Sequence, residues 1–291
     1  MNADLVVDKL SIEPIRRHLV TETVGRHMYL FDQIPSTNAA LRELATAGAQ
    51  EGTVVLAETQ SAGRGRMGQA WFSPPGLNLY VSVLLRPDLP LAAVPVLSFI
   101  ASLALSDAVS AFGTPAVIKW PNDVLVEDRK VAGCLVEVAE RAGRLDHVIL
   151  GVGINLNVPA RDLNDTLGAA ALGAGSLSEL AGHTVDRNLF TATFLNFLES
   201  WLRVYGTDGP RAVLAAWRRR DVLIGQDVEI RGHDGTYRGW VLGVADDGYL
   251  LVEDSDGVCH RLVTEQIRPL ASTRRTPARG FVARRTIETI E

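Results

Sequence analysis

Gly63-Arg64-Gly65-Arg66-Met67-Gly68 matches a G-x-G-x-x-G pattern letter for letter, and its surroundings decide the fold. A dinucleotide fingerprint needs a helix to start there, so that phosphate sits on the helix N-terminus. Here the chain continues Gln69-Ala70-Trp71-Phe72-Ser73-Pro74-Pro75-Gly76, a turn, and then Asn78-Leu79-Tyr80-Val81-Ser82-Val83-Leu84-Leu85, an alternating strand. A loop between strands excludes the dinucleotide fold. Val117-Ile118-Lys119 imitates the lysine strand of a protein kinase, but no H-R-D or D-F-G follows, and there is no Walker A sequence. The glycines let the loop backbone approach a ligand, and Arg64 and Arg66 offer permanent forked charges for carboxylate or phosphate. Taken alone, the loop also fits a solvated surface loop.

Upstream, Ser36 or Thr37 caps a helix with Leu41, Leu44 and Ala45 on one face and Gly48 as its stop. Thr53 to Thr59 reads as a strand. In the 78–85 strand, Leu79, Val81, Val83 and Leu85 share a face. Residues 90–112 form a long buried helix ended by Gly113. Strands follow at 116–119, 123–127, 131–139 and 147–156, the last with glycines where backbone must approach something closely. Ser176 and Glu179 are spaced as a capping box, and residues 187–205 form a helix with Phe190, Phe194, Phe197, Leu198 and Trp201 inward. The texture changes at Val222. Short strands then alternate with Asp-Gly turns at Asp234–Gly235, Asp247–Gly248 and Asp256–Gly257, which reads as a small, separable SH3-like barrel of five strands. The expected organisation is a lead-in over 1–29 without apolar periodicity, a main domain over 30–221, the barrel over 222–270 and a flexible tail over 271–291.

Net charge is −5 and the sequence pI about 5.7, so no basic field points to nucleic acid. Arg218-Arg219-Arg220 and the pairs Arg274-Arg275 and Arg284-Arg285 read as solvated faces. Cys134 and Cys259 lie far apart in no metal-ligand spacing, which fits a reduced, cytoplasmic protein with Cys134 inert in an apolar strand. The N-terminus does not read as a signal peptide. The apolar run from Leu89 to Leu105 carries Pro95 and reads as core, not as a membrane span.

Only three of the 29 basic residues are lysines: Lys9, Lys119 and Lys130. Lys119 ends an apolar strand, and Trp120-Pro121-Asn122-Asp123 then turns the chain into the next. A lysine in that setting needs an anion, or it snorkels to water. Asn122 and Asp123 fit turn formation at least as well as catalysis.

Ser36-Thr37-Asn38, Gln60 ahead of Gly63-Arg64-Gly65-Arg66, Trp71-Phe72-Ser73-Pro74, Lys119-Trp120-Pro121-Asn122-Asp123, Lys130-Val131-Ala132-Gly133 and Gly151-Val152-Gly153-Ile154-Asn155-Leu156 stand in the order found in biotin–protein ligases. The chain resembles that family over roughly residues 30–270. The resemblance implies an α+β fold: a mixed sheet flanked by helices, as in class II synthetases, with the SH3-like barrel after it. It implies ATP-dependent formation of biotinyl-5'-AMP, then transfer of biotin to a lysine of a biotin carboxyl carrier domain of acyl-CoA carboxylases, with ATP, Mg²⁺ and biotin as small-molecule partners.

By the same resemblance Lys119 and Arg66 are catalytic, and Ser36, Thr37, Asn38, Gln60, Arg64, Gly65, Arg66 and Lys119 bind biotin. Arg64, Arg66, Lys119 and Asn122 bind ATP and the adenylate; no residue is assigned to metal. The short lead-in resembles the type without an N-terminal DNA-binding domain, so neither nucleic acid nor membrane is an expected partner. Met67, Gln69 and Ala70 stand where basic residues are often found, lowering the charge available to phosphate, and Cys134 replaces a branched aliphatic residue. A lipoate or octanoate ligase would carry an R-R-x-x-G-G-G loop, and a non-catalytic biotin sensor would need a DNA-binding domain.

Three glycines in six residues, with two like charges between them, predict a loop that is mobile and keeps its arginines in water until an anion orders it. Trypsin should cleave after Arg64 and Arg66 quickly in the free protein and slowly with biotin plus ATP. Equal cleavage in both states would show a preformed loop.

Overall fold

A computed structural model of the chain describes residues 9–167, 173–232, 235–263, 266–270 and 288–289. The main sheet has seven strands: β1 (Met28–Ile34), β2 (Val54–Gln60), β3 (Leu79–Leu85), β4 (Val117–Lys119), β5 (Asp123–Val126), β6 (Arg129–Arg141) and β7 (Arg144–Ile154). Their spatial order is β1-β2-β3-β7-β6-β5-β4, with β1 and β2 parallel and the other neighbours antiparallel. The α+β class and mixed sheet are as expected. All of β3 is buried. Leu79, Val81, Val83 and Leu85 do share a face, turned to the large core containing α3 (Pro95–Ala111). Leu84 points the other way, onto Leu41 and Ala45 of α2 (Thr37–Thr46), so helices cover both faces.

Helix α3 is apolar all round because the sheet meets one side and α6 (Arg187–Arg218) the other. The Phe99 ring lies 4.8 Å from that of Trp217. Among the described residues, Leu91–Ala111 is the one stretch long and apolar enough to cross a membrane, and 72% of its apolar window is buried inside the fold. It is a core helix.

The lead-in departs from expectation. Helix α1 (Ile12–His18) packs on α6 with Leu10 and Ile15 buried, and β1 forms an edge of the sheet. An edge strand with one neighbour leaves Tyr29, Phe31, Asp32 and Gln33 exposed, so β1 shows no periodicity to read. Polar side chains of α6 hold the lead-in backbone. Asn188 Oδ1 accepts from Ser11 N at 2.8 Å, and Asn196 Oδ1 accepts from Val20 N at 2.9 Å. Glu199 accepts the N–H groups of Glu22, Thr23 and Val24 at 2.6, 3.0 and 2.8 Å. Burial pulls the Glu199 carboxyl upward, but those donors outweigh it and hold it below the usual range.

Two helix readings are corrected. Helix α6 continues past residue 205 to Arg218, with a break at Gly209 (φ +75°) before Pro210, and its second segment carries Trp217 under α3. The capping box of α5 (Leu177–Ala181) does not form. Ser176 Oγ donates instead to Leu156 O at 3.0 Å, and Glu179 accepts Ala160 N at 2.7 Å, at the start of α4 (Ala160–Leu167). Tertiary neighbours win those groups from the local turn.

Beyond residue 222 lies a small antiparallel sheet of β8 (Asp227–Gly232), β9 (Gly235–Val244), β10 (Leu250–Asp254), β11 (Cys259–Leu262) and β12 (Gln266–Pro269), in the order β12-β8-β9-β10-β11. Glu288–Thr289, β13, adds a short parallel edge to β11. The rest of the expected tail, with its arginine pairs, and Asp234 of the first turn lie outside the described residues. Gly248 and Gly257 adopt φ of +93° and +78°, as Asp-Gly turns require. Val228, Ile230, Val241, Leu250 and Val252 belong to the same apolar core as Phe99 and Trp217. Polar contacts cross the junction too. Trp120 Nε1 donates to Gly248 O at 3.1 Å, and Arg218 reaches Val244 O and pairs with Asp246 at 2.9 Å. Arg220 pairs with Asp107 at 2.7 Å. Within the arginine run at 218–220, Arg218 is therefore a junction contact and Arg220 is tied to α3, while Arg219 stays exposed as read.

Arg187 and Glu58 form a buried ion pair at 2.8 Å that ties α6 to β2, and Glu58 also accepts Leu10 N at 2.7 Å. Arg187→Met would strand the carboxylate in the core and should cost about 3–5 kcal/mol in urea denaturation. Adding Glu58→Gln should recover part of that. A loss below about 1 kcal/mol in the single variant would mean that water compensates Glu58.

Candidate functional site

A cleft of about 1130 Å³ opens between the main sheet and the small C-terminal sheet. Ser36, Thr37, Asn38, Gln60, Arg64, Gly65, Arg66, Lys119 and Asn122 all line it. Residues from four separate stretches of chain are thus brought to one space. Gln226, Glu229, Arg231 and Arg268 line its far wall, a contribution the sequence did not flag.

One end is a partly buried network of uncharged polar groups anchored on a single carboxylate, Glu137. Thr37 donates its N–H and hydroxyl to Gln60 Oε1, at 2.9 and 3.1 Å, which fixes the amide with Nε2 toward Ser73 Oγ at 3.3 Å. Ser82 Oγ lies 2.8 Å from Thr37 Oγ1 and 2.6 Å from Asn38 Oδ1. Asn38 Nδ2 donates to Glu137 at 2.8 Å. The glycines of β7 make room for this arrangement. A Cβ at Gly151 would lie 2.1 Å from Asn38 Oδ1, and one at Gly153 would lie 2.4 Å from the Trp71 indole. Ser82 and Glu137 were missed by sequence reasoning. Each reads as a strand residue, and only α2 docking on the sheet gives it a partner.

The other end is charged. Lys119 ends β4 with no ion pair to a described residue. Burial pulls its ammonium below the ordinary range, Asp123 raises it, and nearby Lys130 lowers it further. Arg66 Nη1 donates to Asn122 Oδ1 at 3.2 Å, and Asn122 Nδ2 donates to Cys134 O. Asn122 is therefore a buried bridge as well as a turn residue. Asp123 pairs with Lys130 at 2.6 Å, and Lys130 sits 5.4 Å from the Trp71 ring centre. The Cys134 thiol is buried and pushed up to about 11, so it is inert as read.

The glycine loop is stitched by Gly65 N to Gln69 O at 2.7 Å and Trp71 N to Gly63 O at 2.9 Å, with Met67 in the left-handed region at φ +53°. Its arginines have protein partners, although Arg64 stays exposed: Arg64 meets Glu137 at 3.4 Å, and Arg66 meets Asn122. Behind Lys119, the chain at Asp221 runs parallel to β4. Ile118 N donates to Arg220 O at 2.8 Å, and Val222 N donates to Ile118 O at 2.9 Å. Burial pushes the Asp221 carboxyl up to about 6, against the pull of backbone donors that include Trp120. No cluster of three or more His, Cys, Asp or Glu side chains among the described residues is arranged to hold a metal ion.

Residues 30–155 match the Biotin/lipoate A/B protein ligase family, and residues 223–272 match the Biotin protein ligase C terminal domain. Fold and cleft thus define the class, a protein ligase of the biotin and lipoate type. The chain is 38% identical to the bifunctional ligase/repressor BirA of Bacillus subtilis, covering 86% of this chain and 76% of that one. It is 36% identical to the biotin–[acetyl-CoA-carboxylase] ligase of Paracoccus denitrificans, over 76% of this chain and 92% of that one. The biotin protein ligase of Aquifex aeolicus in complex with biotin and ATP superposes with a TM-score of 0.70 at 26% identity, over 84% of this chain and 100% of that one. The chain belongs to the biotin protein ligase family.

Gly151→Ala should evict the Asn38 side chain and lower stability by about 1–3 kcal/mol in thermal or urea melts. Asn38→Ala in that background should restore part of the loss, because the clash is with that side chain. An additive double variant would place the strain elsewhere.

Proposed function

We propose that Lys119, Arg64 and Arg66 assemble the two anions of an adenylation in this cleft, and that the neutral network at its other end reads the ureido ring of biotin. The protein is a biotin–protein ligase. The observation carrying the residue assignment is Lys119: a desolvated cation without an ion pair among the described residues, facing a cleft whose opposite end is lined by the uncharged Ser36, Thr37, Asn38 and Gln60. Two anions, the biotin carboxylate and the α-phosphate of ATP, supply the charge that the site lacks.

In the first step a carboxylate oxygen of biotin attacks the α-phosphorus, a P–O bond breaks, and pyrophosphate leaves. Lys119 lowers the repulsion between the reactants, and Arg66, held by Asn122, stabilises charge on the phosphate. In the second step a neutral lysine amine of the acceptor attacks the acyl carbon, AMP leaves, and the amine loses a proton. Gln60 and Thr37, already oriented, present fixed donors and acceptors to the ureido N–H and C=O groups with little ordering cost. Ser36 and Asn38 complete that end, and Gly65 lets the loop lie close to the ligand. Mg²⁺ arrives as the counter-ion of ATP, in keeping with a metal that binds mainly through phosphates. The acceptor is a carrier protein, here the biotin carboxyl carrier domain of an acyl-CoA carboxylase. The chain divides into a ligand-binding domain over 30–221 and a small domain over 222–270 that supplies the far wall of the cleft.

Biotinylation of a purified carrier domain, read on a streptavidin blot, tests the activity; no signal with biotin and ATP present overturns it. Lys119→Met tests the site. Pyrophosphate release should fall by at least tenfold, the loss of a charge-assisted contact of about 1.5–3 kcal/mol. The melting temperature should hold or rise, because a desolvated charge has been removed. In the parent protein, biotin affinity should fall as pH rises through the lowered pKa of Lys119, where the ammonium loses its charge. Turnover near the parent rate in folded Lys119→Met would remove Lys119 from the mechanism.

A further inference from the structure

Three groups converge on Glu137, which the roles above leave unassigned. On Oε2 it accepts from Asn38 Nδ2 at 2.8 Å and pairs with Arg42 Nη2 at 2.9 Å. On Oε1 it meets Arg64 Nη2 at 3.4 Å. Arg42 and Asn38 lie four residues apart on α2 and so face the same way, whereas Arg64 rides on the glycine loop. We propose that Glu137 is a positioning residue that parks Arg64 while the cleft is empty and releases it to the ligand's anion, with Arg42 staying behind as counter-charge.

The division between the two carboxylate oxygens supports this exchange. The short contacts come from a rigid helix and share Oε2; the long contact comes from the loop and has Oε1 to itself. The Glu137 side chain is only 22% exposed, so losing its sole cation would leave a partly desolvated charge uncompensated. Arg42 removes that obstacle. The orientation of Asn38 is insulated as well, because Ser82 holds its oxygen and Glu137 Oε2 its nitrogen whichever partner Arg64 has. Arg64 can therefore change partner without disturbing the neutral end of the site.

The inference rests on Arg64 being a ligand-binding residue, and the test separates the two. In the full chain, pyrophosphate release is followed against biotin concentration at saturating ATP, with melting temperatures as the check on folding. Arg42→Met makes Arg64 the only cation on Glu137. The biotin KM should rise about two- to fivefold with kcat retained. Arg42→Lys should keep the parent KM. Adding Glu137→Gln to Arg42→Met should bring KM back toward the parent value, since the amide still accepts from Asn38 but no longer holds Arg64. A purely structural network would instead show accumulating damage. Parent KM in Arg42→Met, or a double variant no better than the single, overturns the exchange. Parent KM in Arg64→Met overturns the underlying reading that Arg64 meets the ligand, and the exchange with it.

Discussion

A Cβ at Gly151 would fall 2.1 Å from the amide oxygen of Asn38, and one at Gly153 would fall 2.4 Å from the Trp71 indole. The missing side chains on β7 let α2 and the chain after the glycine loop lie directly on the sheet. Asn38 then reaches both Ser82 and Glu137, and Trp71 roofs the strand beside Lys130. The neutral end of the cleft follows from that close approach. Larger residues on β7 would lift α2, and Thr37 would lose the register that fixes the Gln60 amide.

The charged end obeys a different constraint. Cations are gathered where a protein without ligand has little to offer them. Arg64 and Arg66 borrow a carboxylate and an amide, while Lys119 has no ion pair among the described residues and is held below its ordinary range by burial. A site left short of negative charge costs the free protein stability and favours anions strongly. The buried Arg187–Glu58 pair shows the alternative, a cation whose charge is paired within the fold.

The small C-terminal sheet cannot be treated as an appendage. Trp120 of the turn after Lys119 donates to Gly248, and Ile118 pairs with the chain on both sides of Asp221. The strand that delivers Lys119 is thus braced from the small sheet, and the two share one apolar core. Movement of one against the other would move Lys119 relative to Gln60.

Read alone, the sequence determined most of the regular elements. The 36–48 helix, the strands around 54–60 and 79–85, the buried α3 and the Asp-Gly turns all carry strong local signals: caps, alternation, glycine stops. Through the resemblance to biotin–protein ligases it also pointed to nine residues that line the cleft, but not to Gln226, Glu229, Arg231 and Arg268 of the far wall. Only the tertiary structure decided β1 and α1, whose stability comes from single-sided pairing and from α6 side chains far away in sequence. It alone decided that Ser176 and Glu179 abandon their capping box, that Arg218 bridges the junction and Arg220 pairs with α3, and that Ser82 and Glu137 belong to the site. The reason is common to all of these. A polar side chain's partner is set by what folds against it, and in these side-chain contacts that partner lies from 19 to 113 residues away, out of reach of any local pattern.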